Sequence, residues 1–330
     1  MIGLAVIGLG NAVVPHARAL LDLTDRARVV WAVARNQAHR DAVTTEYGFP
    51  TRPDFAGAIA DPAVDAVLIL TPTNAHLEIA EQAFAAGKHV LCEKPVEVTV
   101  PRGERLVAAG RVANRRLGIM LQLRFRPASL RLKALLATGA LGDIQAATMV
   151  VPWWRSQGYY NEPGRGVKAR DGGGVLMIQA IHTLDLFRWF VGVSSVEAAQ
   201  VRTTALHRME TEDYASALLR LGNEAPGTMI ATTAAYPGSA ESITVIGSLG
   251  VARMEGGALR VSWLDGTEER IEDTGGTGSG SRVMAFSHEP HKAVIQDFLD
   301  AIEQDRDPAI PGEEALETQR VIDAIIAKGG

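Results

Sequence analysis

Two side chains in this sequence could move protons, and one glycine turn could hold a phosphate. Lys94 closes the run Leu91-Cys92-Glu93-Lys94-Pro95, in which residues 89–92 read as a short buried strand after the helix-ending Gly87. Pro95 has a fixed φ and disfavours the helical region at Lys94, which directs Glu93 and Lys94 out of the strand end. A lysine placed there can polarise an oxygen or relay a proton, although the five residues taken alone read more simply as an exposed Lys-Pro loop. His182 stands in a stretch over 175–191 that follows Gly172-Gly173-Gly174 and is apolar almost all round, as a buried helix is. Its few polar residues, Gln179, His182, Asp185 and Arg188, recur every three positions, so each lies one turn from the next. An imidazole on such a helix is either a proton acceptor near neutral pH or a core histidine with its hydrogen bonds satisfied.

The elements that would position these groups begin at the N-terminus. Residues 4–7 read as a buried strand, Gly8-Leu9-Gly10-Asn11-Ala12 as a turn, and 13–23 as a helix with Pro15 in its first turn. Strand, glycine turn and helix together are the context in which N–H groups at a helix start hold a pyrophosphate. The third position of that fingerprint is Val13 rather than Gly or Ala, but phosphate contact needs only the first two glycines. A second strand over 29–33 ends at Ala34-Arg35-Asn36, with no carboxylate for a ribose hydroxyl. A small residue followed by Arg suits a 2'-phosphate, so NADP(H) is expected over NAD(H); the plainer reading is a surface Arg at a helix start near His39 and Arg40. Strand and helix then alternate through Val90, Val107 and Met120, which argues a doubly wound parallel sheet over 1–122.

The chain has 330 residues, 47% hydrophobic and 22% charged, which fits a globular protein of about two domains. Its net charge of -5 and lack of a basic block leave neither nucleic acid nor an anionic membrane as a natural partner. The one cysteine, Cys92, excludes an intramolecular disulfide framework and suits a reducing cytoplasm. No signal peptide is expected, and no apolar run approaches the ~20 residues of a membrane span. No metal is expected either, because no carboxylate or thiolate cluster accompanies His288 and His291 along the sequence.

Several of these runs carry a resemblance. Gly8-x-Gly10, Thr71-Pro72-x-x-x-His76, the stretch from Ala86-Gly87-Lys88 to Glu93-Lys94-Pro95, and Arg124-Phe125-x-Pro127 resemble the Gfo/Idh/MocA family of NAD(P)-dependent oxidoreductases in order and spacing. The likeness covers nearly the whole chain. It implies that Lys94 lies beside the nicotinamide and substrate, and that Thr71, Pro72, Asn74, His76, Glu93 and Gln122 line the cofactor groove. It also implies that His182, after the triple glycine, faces the nicotinamide. Many dehydrogenases of the family carry Asp or Asn four residues before that histidine, and here the residue is Ile178. Isoleucine can neither orient an imidazole nor accept a proton; Asp185, one turn on, or Gln179, next to the missing position, could compensate.

Residues 123–330 read as an α+β domain whose later part is a large open, mainly antiparallel sheet, with strands over 196–204, 214–221, 228–234, 243–246, 251–254, 259–263 and 268–271. Helices over 289–304 and 313–328 close the chain, and the last of them could return to the first domain. A sheet this wide is expected to bury its other face against a second subunit, and the resemblance implies a homodimer or homotetramer built through it. Residues 275–281 are Gly/Ser-rich and read as a linker. In the long segment over 153–174, Trp153, Trp154, Tyr159 and Tyr160 could stack on a sugar ring, a nicotinamide or one another. Arg155, Tyr160, Arg165 and Lys168 could meet a substrate carboxylate or hydroxyls.

The expected reaction is reversible hydride transfer between NADP(H) and a secondary alcohol carbon of a sugar or polyol, with Lys94 as polarising cation and relay and His182 as base. Two alternatives stay open: a nucleotide-binding sensor without turnover, which Ile178 favours, and a redox-neutral enzyme with tightly held nucleotide.

Overall fold

The structure is a computed structural model and describes residues 1–272 and 287–330; the run 275–281, read above as a linker, lies outside the described residues. The chain folds as two compact units, one of residues 1–122 and 288–316, the other of residues 123–287 and 317–330.

Unit 1 begins with the strictly alternating β1 (Ile2–Ile7), α1 (Val13–Asp22), β2 (Ala27–Val33), α2 (Gln37–Tyr47), β3 (Thr51–Arg52) and α3 (Phe55–Ile59). It continues through β4 (Ala66–Ile69), α4 (His76–Ala85), β5 (His89–Glu93), α5 (Val100–Val112) and β6 (Leu117–Met120). The six strands pair in parallel in the order β3-β2-β1-β4-β5-β6. β1, β4 and β6 are buried at every residue, as strands covered by helices on both faces must be. The strand order reverses beside β1, and an open sheet of this kind binds ligands at the carboxyl ends of its strands there.

Unit 2 begins with α6 (Pro127–Ala137), β7 (Ile144–Pro152), the short α7 (Gln157–Tyr160) and α8 (Lys168–Asp171), and α9 (Ile181–Val191). Seven strands follow: β8 (Ser195–Arg202), β9 (Tyr214–Arg220), β10 (Pro226–Thr232), β11 (Ser242–Gly247), β12 (Gly250–Glu255), β13 (Ala258–Trp263) and β14 (Glu268–Ile271). The eight form one sheet in the order β14-β13-β12-β11-β7-β10-β9-β8. All neighbours are antiparallel except β7 and β10, because β7 enters between the two meanders. β9, β10 and β12 alternate buried and exposed residues, so the sheet has one covered face and one open face.

Two helices differ from the sequence reading. α10 (Glu289–Glu303) belongs to unit 1, not to the second domain. Its stripe of Val294, Ile295, Phe298 and Leu299 is at most 4% exposed and packs on α1, β5 and β6. Each such side chain contributes about 1.5–3 kcal/mol by burial. Gly118 of β6 makes the approach possible, since a Cβ there would stand 3.2 Å from the Phe298 ring. The last helix, α11 (Gly312–Gly329), gives residues 312–316 to unit 1 and the remainder to unit 2. The stretch over 175–191 is not one α-helix either: Leu176–Ala180 forms a wider π turn before α9 begins at Ile181. Among the described residues no helix is long and apolar enough to cross a membrane.

Candidate active site

In unit 1 the candidate groups sit at the carboxyl ends of five parallel strands and therefore along one edge of the sheet. Gly8 to Ala12 follow β1, Ala34 to Asn36 follow β2, Thr71 to His76 follow β4, Glu93 and Lys94 end β5, and Gln122 follows β6. Gly8 has φ +108°, and a Cβ on it would lie 2.6 Å from the Leu70 carbonyl carbon, so only glycine lets β1 turn this tightly beside β4. Gly10 differs: a Cβ there would meet nothing within 4 Å. Leu9 and Val13 point inward, at 5% exposure each, and the bulkier Val13 is accommodated in the core. Asn36 caps α2, its side chain accepting from Ala38 N at 2.9 Å, while Arg35 is exposed and Arg40 donates to the carbonyls of Ala34 and Arg35.

Glu93 is the most tightly held group of this edge. Its Oε2 accepts from the Lys94 N–H at 3.1 Å, and its Oε1 lies 3.2 Å from His16 Nε2. Nδ1 of His16 lies 3.0 Å from the Ala12 carbonyl, which can only accept, so that nitrogen carries hydrogen. The His291 ring stands edge-on to His16, centroids 5.0 Å apart. Burial pushes the Glu93 carboxyl up, but the hydrogen bond with His16 and the charges of His16, Lys94 and His291 outweigh it and hold the group at about 2. His76 is 1% exposed, with Nδ1 beside the Pro95 and Val96 carbonyls and Nε2 beside that of Thr71. Its ring therefore ties the turn after β4 to the turn after β5.

The reason given above for expecting no metal also fails. The fold brings Glu93 to His16 and His291, and Asp22 and Glu289 to His288, so carboxylates do accompany both histidines in space. The first trio spans three elements of unit 1 far apart in sequence, which no local spacing could reveal.

In unit 2 the triple glycine is fixed from below by Glu212. Its two carboxylate oxygens accept from Gly174 N at 2.9 Å and Leu176 N at 3.0 Å, and its carbonyl accepts from Val175 N at 2.8 Å. A Cβ on Gly174 would stand 1.8 Å from the Glu212 carbonyl oxygen, so this close approach requires glycine. Burial raises the Glu212 carboxyl above its ordinary value against the pull of these backbone donors. The π turn over Leu176–Ala180 follows directly on this pinned glycine turn and precedes His182.

Asp185 does not have the surroundings expected of an imidazole-orienting acid. Arg124 grips it through two bonds, Nε to Oδ2 at 2.7 Å and a terminal nitrogen to Oδ1 at 2.6 Å, with both residues at most 4% exposed. Thr318 Oγ1 donates to the same Oδ1 at 2.9 Å, and Arg188 lies 4.0 Å away. The carboxylate anchors α9 to α11 and to the Arg124-Phe125-x-Pro127 segment. Gln179 has the opposite character: it is 4% exposed, its Nε2 reaches only Tyr159 Oη at 3.4 Å, and its Oε1 has no partner.

Gln179 lines a pocket with Tyr159, Tyr160, Arg165, Arg170 and Ile178. Of the five substrate candidates, Tyr160 and Arg165 line it, and Trp154, Arg155 and Lys168 do not. Trp154 bridges to Ala234 and meets the Tyr236 ring edge-on, Arg155 is 4% exposed and lies over the Trp153 and Tyr159 rings, and Lys168 is exposed. Tyr160 contributes ring surface only, since its hydroxyl is paired with Thr233 Oγ1 at 2.7 Å and burial raises its ionisation. Arg170 was missed; its one sequence signal is membership of the same basic, aromatic segment.

Comparison with known proteins agrees with this layout. Residues 2–120 match the oxidoreductase family with an NAD-binding Rossmann fold, and residues 129–253 match the GFO/IDH/MocA C-terminal domain. The chain belongs to the Gfo/Idh/MocA family of oxidoreductases. It is 25% identical to the inositol 2-dehydrogenase of Rhizobium meliloti (strain 1021), over 97% of this chain and 94% of that protein. It is 28% identical, with a TM-score of 0.85, to the WlbA dehydrogenase from Bordetella pertussis solved with NADH and UDP-GlcNAcA, covering 99% of this chain and 96% of the other. A levoglucosan dehydrogenase solved with NADH and levoglucosan shares the fold at 21% identity, with a TM-score of 0.86 and coverage of 99% and 97%.

The residues of this Gfo/Idh/MocA chain fit the dinucleotide its family binds. The space beside Gly10 is open at the start of α1, a helix of 10 residues, which is where a phosphate would sit. Thr71 Oγ1 and Gln122 Oε1 on the same strand edge are buried polar atoms without a partner among the described residues. Unpaired buried polar atoms cost free energy unless a ligand or water satisfies them.

Proposed function

We propose that this protein is an NAD(P)-dependent dehydrogenase that oxidises a secondary alcohol carbon of a sugar or polyol, or reduces the matching ketone. The observation that carries the reading is Lys94, delivered at the carboxyl end of β5 beside a Glu93 carboxylate that is held in place by His16. Family membership and the inositol 2-dehydrogenase relative support it.

When bound, the nicotinamide supplies the acceptor for the hydride that leaves the alcohol carbon. The protein must take the hydroxyl proton and stabilise the oxygen while its charge develops. Lys94 serves as the polarising cation and proton relay, and Glu93 holds its backbone N–H. His182 serves as the principal base. Gln179, at the position next to Ile178, serves as the positioning residue on the substrate side in place of Asp185. On this reading Lys94→Ala and His182→Ala each lower kcat by at least about a hundredfold while nucleotide still binds. A sensor without turnover is the second reading, and the apolar Ile178 on the pocket wall favours it.

Arg35, exposed after a small Ala34 where no carboxylate stands, supports NADP(H) over NAD(H). The two solved structures named above hold NADH, so the preference is decided by titration. NADPH should bind much more tightly than NADH to nucleotide-free protein, and Arg35→Ala should remove the difference; equal affinities would refute the preference. A homodimer or homotetramer through the large sheet completes the proposal. Leu218, Ile230, Ile246 and Val251 stand 37–55% exposed on its open face, a patch that a second copy would cover.

A further inference from the structure

We propose, resting on the dehydrogenase reading, that the alcohol taken by the unit 2 pocket also carries a carboxylate, so that the substrate is a sugar acid rather than a neutral polyol. Among the described residues Arg165 commits only Nε, donating to Glu162 Oε2 at 2.6 Å. Its guanidinium carbon stands 4.1 Å from the centre of the Tyr159 ring. Stacking and ion pair together fix the plane of the guanidinium, and both terminal nitrogens keep their N–H groups for a ligand. Two parallel N–H groups in one plane are the fork that matches a carboxylate. Preorganisation of this kind lowers the ordering cost of binding.

The surroundings have the same sign. Arg170 brings a second guanidinium to the pocket, donating from one terminal nitrogen to the Pro163 carbonyl at 2.9 Å, with Nε 3.9 Å from Asp171. Gly164 leaves it room, because a Cβ there would lie 2.5 Å from Arg170 Cδ. Residues 153–174 carry Arg155, Arg165, Lys168 and Arg170 against Glu162 and Asp171, four positive charges to two negative, in a chain whose net charge is -5. Of these charges Arg165, Arg170 and Asp171 line the pocket itself, two positive to one negative, which favours an anion there.

Gln179 sets a second requirement. Its amide is buried and satisfies only one long contact to Tyr159. Turning the amide over would exchange oxygen for nitrogen and leave the other atom unpaired, so a substrate hydroxyl, able to donate or accept, completes it in either orientation. The Ile178 side chain on the same wall is apolar. An anionic group for Arg165, a hydroxyl for Gln179 and an apolar patch at Ile178 describe a carboxylated polyol.

Substrate pairs that differ at one carbon test this, with reduction of NAD+ and NADP+ as the readout: D-glucuronate against D-glucose, D-gluconate against D-glucitol, and glucose 6-phosphate as a second anion. The acids should exceed their neutral partners in kcat/KM by about tenfold or more. Arg165→Met should lower the acid-to-neutral ratio by about ten- to a hundredfold, mainly through KM, the scale of a lost charged hydrogen-bonded pair. Arg165→Lys, which keeps the charge without the fork, should recover part of it, and melting temperatures establish that both variants fold. A ratio of one or less, a ratio untouched by Arg165→Met, or preference for the phosphate ester would overturn the inference. Turnover of neutral members alone sinks this inference and leaves the dehydrogenase reading standing; reduction of neither nucleotide by any member sinks both.

Discussion

Asp185→Asn separates a structural anchor from a catalytic orienter. The carboxylate is 1% exposed and accepts two bonds from Arg124 and one from Thr318. An amide retains one acceptor oxygen and no charge, so the 4% exposed Arg124 guanidinium loses the negative charge of this partner. Breaking a buried pair in this way costs about 3–5 kcal/mol. At about 2–4 °C per kcal/mol for a unit of this size, the melting temperature should fall by about 6–20 °C. Thermal unfolding followed by circular dichroism gives that number, and the pH dependence of kcat gives a second, since an anchor leaves the position of the profile where it was. Replacing both partners, Arg124→Leu with Asp185→Leu, should destabilise less than Asp185→Asn, because no charge is left buried alone. A melting temperature within about 2 °C of the parent, together with a displaced pH profile and a hundredfold loss of kcat, would refute this reasoning and return Asp185 to the imidazole.

Other expectations follow from single contacts. Gly10→Ala should fold normally, since its Cβ meets nothing within 4 Å, yet weaken nucleotide binding; Gly8→Ala, whose Cβ would lie 2.6 Å from the Leu70 backbone at φ +108°, should instead lower the melting temperature. Calorimetry and thermal melts distinguish the two. Because Glu93 is held at about 2, below the ordinary glutamate value near 4.3, its contribution to stability is present in full above that value and is lost as pH falls through about 2. Urea unfolding between those limits should show Glu93→Gln with a flatter pH dependence than the parent. Cys92 is fully buried and its thiol is pushed well up by burial, so a thiol reagent should label it only on unfolding; labelling of the native protein at the rate of a free thiol would contradict that packing.

The sequence was most informative where the chemistry depends on local spacing. Gly8 and Gly10, the end of β2 at Ala34 and the Glu93-Lys94 pair all follow apolar runs, and a parallel alternating sheet brings such strand ends to one edge by construction. The open antiparallel sheet was readable in the same way, from alternation punctuated by glycines, although nothing local indicated that β7 would enter between β10 and β11. What escaped were partners remote in sequence. Glu212 reaches back 38 residues to Gly174, and a π turn stands where an ordinary helix start was expected. Arg124 reaches 61 residues to claim Asp185, one of the two residues that the spacing offered as a partner for His182. α10 reads as an ordinary amphipathic helix at the end of the second domain, yet Gly118 provides a slot for Phe298 in the first unit. The pocket-facing residues of the segment over 153–174 depended on which way each side chain turned, which composition cannot say.

Enzyme turnover tests the central claim most directly: purified protein, NAD+ or NADP+, and a panel of polyols and sugar acids, with formation of reduced nicotinamide followed by absorbance and repeated with Lys94→Ala. The account predicts nucleotide reduction by at least one secondary alcohol and a loss of about a hundredfold or more in kcat in the variant, with nucleotide affinity retained. Full activity in Lys94→Ala, or tight nucleotide binding without reduction by any alcohol in the panel, would contradict it.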